Sequence, residues 1–304
     1  MDLRLNRELT SWNELAWNGV RFQAPTSLHP GQIGKRYLLL ESDDRPALEL
    51  RWEKVKGRFS HKANLKRLAG ERNRRGIPEF KQIDLPESWK DALSAFDARG
   101  FAWRGRNLSG TGVLAYCSVC RTASLIQFYH YEDVAEETFA PRVLKSFQDH
   151  NDGELARFAL FDIQTEIPAK YSLDWYGFDT GRFELGFTWR KRQFVLNRFA
   201  PASALLGREG LADFARRYLA VPAGDPVISD DLAISTAEWT VPAGGRLYQV
   251  LLRGLSIKSR VWRLRLAHDK ASNRILAVRA QGPAPPLNGD FEWVANGFKV
   301  VPIE

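Results

Sequence analysis

Apolar and polar residues alternate with a period of two along much of this chain, which is the mark of strands with one buried face. "GVRFQAP" at 19–25 reads as a strand ending at Pro25. "KRYLLLES" (35–42) and "ALELRWEKV" (47–55) follow as strands, joined across "DDRP", a run of good turn formers. Further strands are predicted over 101–104, 111–117 and 122–131. In the second half, "GFDTGRFELGFTW", "RQFVLNRFA", "RLYQVLLRGLS", "SRVWRLRLAH", "NRILAVRAQG" and a closing "GFKVVP" read the same way. The pattern changes to helical spacing in a few places. A short helix is expected over 7–16. A second covers 61–74, with Leu65 and Leu68 as a narrow apolar stripe. A third covers 87–97, with Pro86 near its start and Trp89, Leu93 and Phe96 on one face. A fourth spans 133–145. "PASALLGREGLADFARRYL" (201–219) predicts a helix or helix pair broken near Gly207 or Gly210.

Strands in adjacent runs with helices between the runs predict α+β architecture with antiparallel sheets, not alternating βαβ units. The order of elements also repeats. Tyr37 stands to Phe183 as Leu48 stands to Phe194, and "VLAYC" (113–117) aligns with "VWRLR" (261–265). Ser146-Phe147 falls opposite Gly297-Phe298. This predicts two related domains, 1–151 and 152–304, each an antiparallel sheet flanked by helices, with a boundary in the polar stretch "QDHNDGE".

In each half an early strand ends in a proline before an aliphatic residue, "FQAPTSL" and "EIPAKYSL". Paired strands, a helix, a meander and a closing "SF" or "GF" follow. The order resembles the PsbP/Mog1-like fold, present here as two tandem copies. That resemblance implies a compact antiparallel sheet flanked by helices. It also implies a binding or assembly module rather than an enzyme, since one branch of the family binds a small GTPase and another serves photosystem assembly. No residue of the family transfers to a position here.

Charge narrows the picture. The formal net charge is +8, and residues 51–81 alone hold eleven basic and three acidic residues, which equals the whole excess. Any electrostatic partner must therefore meet this segment. Lys62, Lys66, Arg67, Arg72, Arg74 and Arg75, on the helix predicted there, are the expected partner contacts. An acidic protein surface is the expected partner, with nucleic acid as the alternative. No run of eighteen apolar residues predicts a membrane helix, and no basic head with an apolar run predicts a signal peptide. Two cysteines do not make a disulfide framework, so the expected compartment is the cytoplasm.

Candidate chemistry is sparse. The chain holds no G-x-S-x-G, H-E-x-x-H, P-loop or G-x-G-x-x-G motif. Asp162, Glu166 and Asp174 read as surface acids. Trp175, Tyr176 and Phe178, in the most aromatic stretch, are candidates for a ligand groove, with core packing as the alternative account. The two cysteines, Cys117 and Cys120, lie at a predicted hairpin tip in "CSVCRT". Three readings stay open for them: small half-buried hydrophobes, a zinc knuckle whose remaining ligands come from distant histidines or a second chain, and a redox pair. β-forming residues follow, not a helix, which disfavours the redox reading. The expected function is a non-enzymatic binding or assembly protein without a cofactor. The alternatives are a zinc-supported nucleic-acid-associated protein and an enzyme with its site between the two halves.

Overall fold

The computed structural model describes residues 11–74, 79–131, 139–150, 153–222, 224–241, 261–287 and 289–301. The chain divides into two compact units. The first comprises Met1–Asp152 with Ala159–Phe161 and Ile303–Glu304, and the second comprises Gly153–Phe158 with Asp162–Pro302.

The first unit opens with the hairpin of β1 (Trp12–Trp17) and β2 (Val20–Pro25). Its turn, Asn18-Gly19, has φ of 43° and 99°, the two left-handed positions that Asn-Gly tolerates best. A meander follows: β3 (His29–Gly34), β4 (Tyr37–Ser42) and β5 (Arg45–Lys54). Asp43 and Asp44, at φ 49° and 59°, turn β4 into β5. Then come α1 (His61–Arg74), β6 (Glu79–Ile83), α2 (Glu87–Ala92), β7 (Asp97–Arg104), β8 (Leu108–Cys117), β9 (Thr122–Tyr131) and α3 (Ala140–Ser146). Strands β3 to β9 form one antiparallel sheet in the order β3-β4-β5-β9-β8-β7-β6. Alternation puts Leu48, Leu50, Ile126 and Phe128 on one buried face. There Phe128 meets Trp89 of α2 at 5.3 Å and Phe139, which precedes α3, at 5.7 Å between ring centres. The opposite face receives α1, whose Leu65 packs on Phe101, Trp103 and Leu114.

The second unit has β10 (Leu155–Leu160) up to Phe158, β11 (Ile163–Pro168), β12 (Ser172–Asp179), β13 (Arg182–Trp189), β14 (Arg192–Phe199), α4 (Ala202–Leu206) and α5 (Leu211–Tyr218). It continues with β15 (Val227–Asp230), β16 (Ile234–Thr240), β17 (Val261–Asp269), β18 (Arg274–Gln281), α6 (Asp290–Gly297) and β19 (Lys299–Val300). Its sheet runs β12-β13-β14-β18-β17-β16-β15. Phe214 and Ala215 of α5 fill the face formed by Phe199, Trp239, Leu264, Leu266, Ile275 and Ala277. Both units are α+β with antiparallel sheets. Among the described residues no helix is long and apolar enough to cross a membrane.

Most predicted strands and the helix 61–74 stand where the pattern puts them. The helix expected over 7–16 does not: Trp12–Trp17 is a strand, because Ser11 to Trp17 pairs its backbone with β2 and residues 1–10 lie outside the described set. The helix expected over 87–97 stops at Ala92, since Asp97 already enters β7 against β8. The helix expected over 133–145 is seen only from Ala140, and the strand expected in "RLYQVLLRGLS" lies outside the described residues. The pattern did not anticipate β3, β6, β10, β15, β16 or α6. Asp162 is not a surface acid. It is 3% exposed and accepts from Arg198 Nε at 3.0 Å, from Arg198 Nη2 and from Arg274 Nε at 2.8 Å. This ties the start of β11 to β14 and β18.

Removing one side of a buried ion pair leaves an uncompensated charge and typically costs about 3–5 kcal/mol. Asp162→Asn is therefore expected to lower the unfolding free energy by about 3 kcal/mol, read as a shift in the urea midpoint. An unchanged midpoint would show that the triad does not brace the unit.

Candidate functional site

The basic segment folds around an open cleft of about 740 Å³ on the α1 face of the first unit. Leu114, Ala123 and Leu125 of β8 and β9 line its floor. One wall is α1, through Asn64, Arg67, Leu68 and Glu71. The other is β4–β5 with the connection after it, through Arg36, Tyr37, Arg51, Lys54, Lys56, Arg58 and Phe59. The cause lies in the composition of α1. Its apolar stripe is Leu65 and Leu68 alone, so it covers the sheet at one line and leaves the rest open. In the second unit, α5 sits at the same place in the strand order and fills its face with Phe214.

Beneath the cleft lies a buried polar network. Glu49, 2% exposed, accepts hydrogen bonds from Arg51 Nε, Gln127 Nε2 and the Tyr129 hydroxyl. Arg72 Nη2 donates to Gln127 Oε1 at 2.7 Å, and its guanidinium lies 4.2 Å from the Trp103 ring centre. Burial works against the Arg51 cation, yet Glu49 beside it holds its pKa above the usual guanidinium value. Burial, reinforced by Glu49, pushes the Tyr129 hydroxyl up, so it stays protonated and donates.

The predicted partner contacts divide on this frame. Arg67 lines the cleft. Lys62, Lys66 and Arg74 are exposed elsewhere on α1. Arg72 must be corrected: it is 7% exposed and belongs to the buried network, not to a contact surface. Its position was legible, since residues 65, 68 and 72 share one helix face. Arg75 lies outside the described residues. Arg36, Lys54, Lys56, Arg58 and the aromatic Tyr37 and Phe59 were missed as cleft residues. Four of the six lie in or next to the basic run, and Arg36 and Tyr37 are brought in by the pairing of β4 with β5. Trp175, Tyr176 and Phe178 are on edge strand β12 of the second unit and are half-buried. Trp175 lies on Gly186, where a Cβ would meet its ring at 2.0 Å, and its Nε1 donates to Glu184 at 2.9 Å.

Cys117 and Cys120 stand at the tip of the β8–β9 hairpin, closed by the pair Cys117↔Thr122 with Arg121 at φ 56°. Segment 148–150 comes alongside, held by a two-way backbone bridge between Arg21 and Gln148. Cys120 Sγ donates to Asp149 Oδ2 at 3.2 Å and lies 3.1 Å from Thr122 Oγ1. Cys117 Sγ lies 3.8 Å from His150 Nδ1, which is 2.7 Å from Asp149 Oδ1. Burial first, and the Asp149 carboxylate with it, push the Cys120 thiol up to about 11, against an opposing hydrogen bond with Thr122. That is the reverse of what a redox thiol needs. Sequence spacing pointed to the cysteines alone; Asp149 and His150 reach them only through the fold.

No model of a known protein family matches the chain, and no curated protein matches it. Solved structures similar to it include the following three. The Ran-binding protein Mog1p of Saccharomyces cerevisiae covers 46% of this chain with 96% of its own, at 6% identity and a TM-score of 0.31. It is a case of the PsbP/Mog1-like fold that the sequence resembles. A protein of Bacteroides thetaiotaomicron matches 51% of this chain with 52% of its own, at 12% identity and a TM-score of 0.30. The apo immunity protein TplEi of T6SS from Pseudomonas aeruginosa matches 96% with 98%, at 14% identity and a TM-score of 0.35.

His61 opens α1 with Nε2 3.0 Å from the Asp97 carbonyl. Burial lowers its pKa below the ordinary 6.5, Asp97 opposes the shift and Arg99 adds to it. The unfolded chain then binds a proton more readily than the folded one, so stability falls as the pH drops through about 6.5. Denaturant unfolding from pH 7 to pH 5 should show this decline, and a shallower slope in His61→Gln. An unchanged slope in the variant would remove His61 from the account.

Proposed function

We propose that this protein is a binding module that takes an acidic segment of another protein into the cleft of its first unit. One observation carries the reading: Arg36, Arg51, Lys54, Lys56, Arg58 and Arg67 line a single cleft, against Glu53 and Glu71 in its lining and Glu49 beneath Arg51. Gathering like charges opposes folding, and a focused positive potential raises the encounter rate with anionic partners. Glu53 meets Arg36 at 3.8 Å and Glu71 meets Arg67 at 3.4 Å. Among the described residues Lys56 and Arg58 have no carboxylate partner. The apolar floor and the rings of Tyr37 and Phe59 suit a peptide with apolar side chains between its acids. A nucleic-acid strand asks instead for cations spaced along a track with stacking platforms. The reading places the protein in the cytoplasm, where its two thiols stay reduced.

We infer too that the two units are copies of one pattern. Their strand orders agree place by place. Leu114 pairs with Leu125 where Leu266 pairs with Ala277, and buried Phe101 stands where Trp239 stands. That register sets Val113 opposite Arg265 in the alignment, rather than Val261. Binding then belongs to the copy whose helix lacks the bulk that fills the other.

The test is fluorescence anisotropy of a labelled Asp/Glu-rich peptide with the full chain. Binding should weaken steeply between about 0.05 M and 0.3 M salt. Lys56→Glu with Arg58→Glu should weaken it about tenfold or more. Lys62→Glu with Lys66→Glu changes net charge equally but lies outside the cleft, and should act far less. Equal losses in both pairs, or tighter binding to a single-stranded oligonucleotide that the cleft pair abolishes, would contradict the proposal.

A further inference from the structure

We propose that Cys117, Cys120, Asp149 and His150 form a zinc site that clamps the β8–β9 hairpin tip to the segment following α3. The Sγ atoms of the cysteines, a carboxylate oxygen of Asp149 and a ring nitrogen of His150 all lie within 4.8 Å of one another. A tetrahedral zinc ion with bonds of about 2.0–2.3 Å holds its donor atoms roughly 3.3–3.8 Å apart. The separation of 3.8 Å from Cys117 Sγ to His150 Nδ1 is at the top of that range, and the 3.2 Å from Cys120 Sγ to Asp149 Oδ2 lies just below it.

The donors select the metal. Two sulfurs exclude calcium and magnesium, which take oxygen, while sulfur with imidazole suits zinc. Four protein ligands close the coordination sphere, so the ion is structural and holds no open position for catalysis. A second observation points the same way. Asp149 has a fully buried side chain. The His150 ring 2.7 Å away compensates this buried carboxylate only when protonated, whereas a divalent cation would do so with the imidazole neutral.

Backbone anchoring makes the site a clamp. The hairpin tip is fixed by Lys54 Nζ donating to the Cys120 carbonyl and by Val55 N donating to the Arg121 carbonyl, both at 2.8 Å. Segment 148–150 is fixed by its bridge to Arg21. The second unit turns β17 into β18 without cysteine, using Asp269 to accept from the Ala271 and Ser272 amides. A hairpin here therefore does not require metal; the ion would reinforce the junction of its tip with a segment about thirty residues away.

The experiment titrates metal-free full-length protein with zinc in competition with a chromophoric chelator, and in parallel with cobalt(II). The expected result is one equivalent of zinc per chain. Cobalt should give strong visible bands of tetrahedral geometry and a near-ultraviolet thiolate charge-transfer band. Cys120→Ser should weaken zinc binding by more than the roughly 10–100-fold that follows loss of a ligand's hydrogen-bond partner. His150→Ala, with a side chain 36% exposed, tests the same point at less risk to folding. No competitive uptake by the wild-type chain overturns the site, as does a cobalt spectrum without thiolate charge transfer. Zinc binding unchanged in both variants, with folding verified by circular dichroism, overturns it equally.

Discussion

The ladder between β5 and β9 is the pairing on which the first unit's surface chemistry depends. It runs from Leu48↔Phe128 to Lys54↔Thr122. Its register sends Leu48, Leu50 and Trp52 to the face packed by α2 and α3, and Glu49, Arg51 and Glu53 to the face under α1. A slip of one residue would exchange the two sets and place three charges in the apolar core. The same ladder carries the basic run to the hairpin tip, where Lys54 meets the carbonyl of Cys120. The cleft and the cysteine cluster thus lie toward the same, hairpin-tip end of one strand pair.

The α1 face is built unlike an ordinary sheet–helix layer. A helix normally seals a sheet with a stripe of several large side chains. Here α1 brings Leu65, Leu68 and then Arg72, and the sheet answers with Trp103, Gln127 and Glu49. Every partner in that network donates or accepts within it, which is the condition for tolerating buried polar groups. The helix is held along one line, and the space beside it remains open to solvent and lined with cations. The second unit uses the same strand order with Phe199, Phe214 and Trp239 in place of these groups, and its face is closed. One framework thus supports a packed face and a receptive one, and side-chain bulk on a single helix decides between them.

The strands were legible because alternation over six to ten residues leaves little choice of face, as in "ALELRWEK" and "RFELGFTW". Helix 61–74 was legible from Leu65, Leu68 and the cations of its last turn. Shorter or more polar elements were not. β3 contains Pro30 and two glycines, and β15 is exposed along its whole length, so neither carries a period. Trp12–Trp17 reads equally as a helix start until its partner β2 is known. At the sites, sequence found the basic run and the cysteine pair but not what folding adds to them. Arg36 joins the cleft across a strand pairing, and Asp149 and His150 join the cysteines from beyond α3. Such contacts belong to topology, and local pattern does not encode them.

We propose that the partner binds in the cleft between α1 and the β5–β9 ladder. Amide hydrogen exchange of the full chain, with and without a saturating acidic peptide, tests it most directly. The account predicts slowed exchange confined to residues 51–59, to α1 and to the edges of β8 and β9. Protection on the second unit instead, or none in 51–74 at saturation, would contradict it.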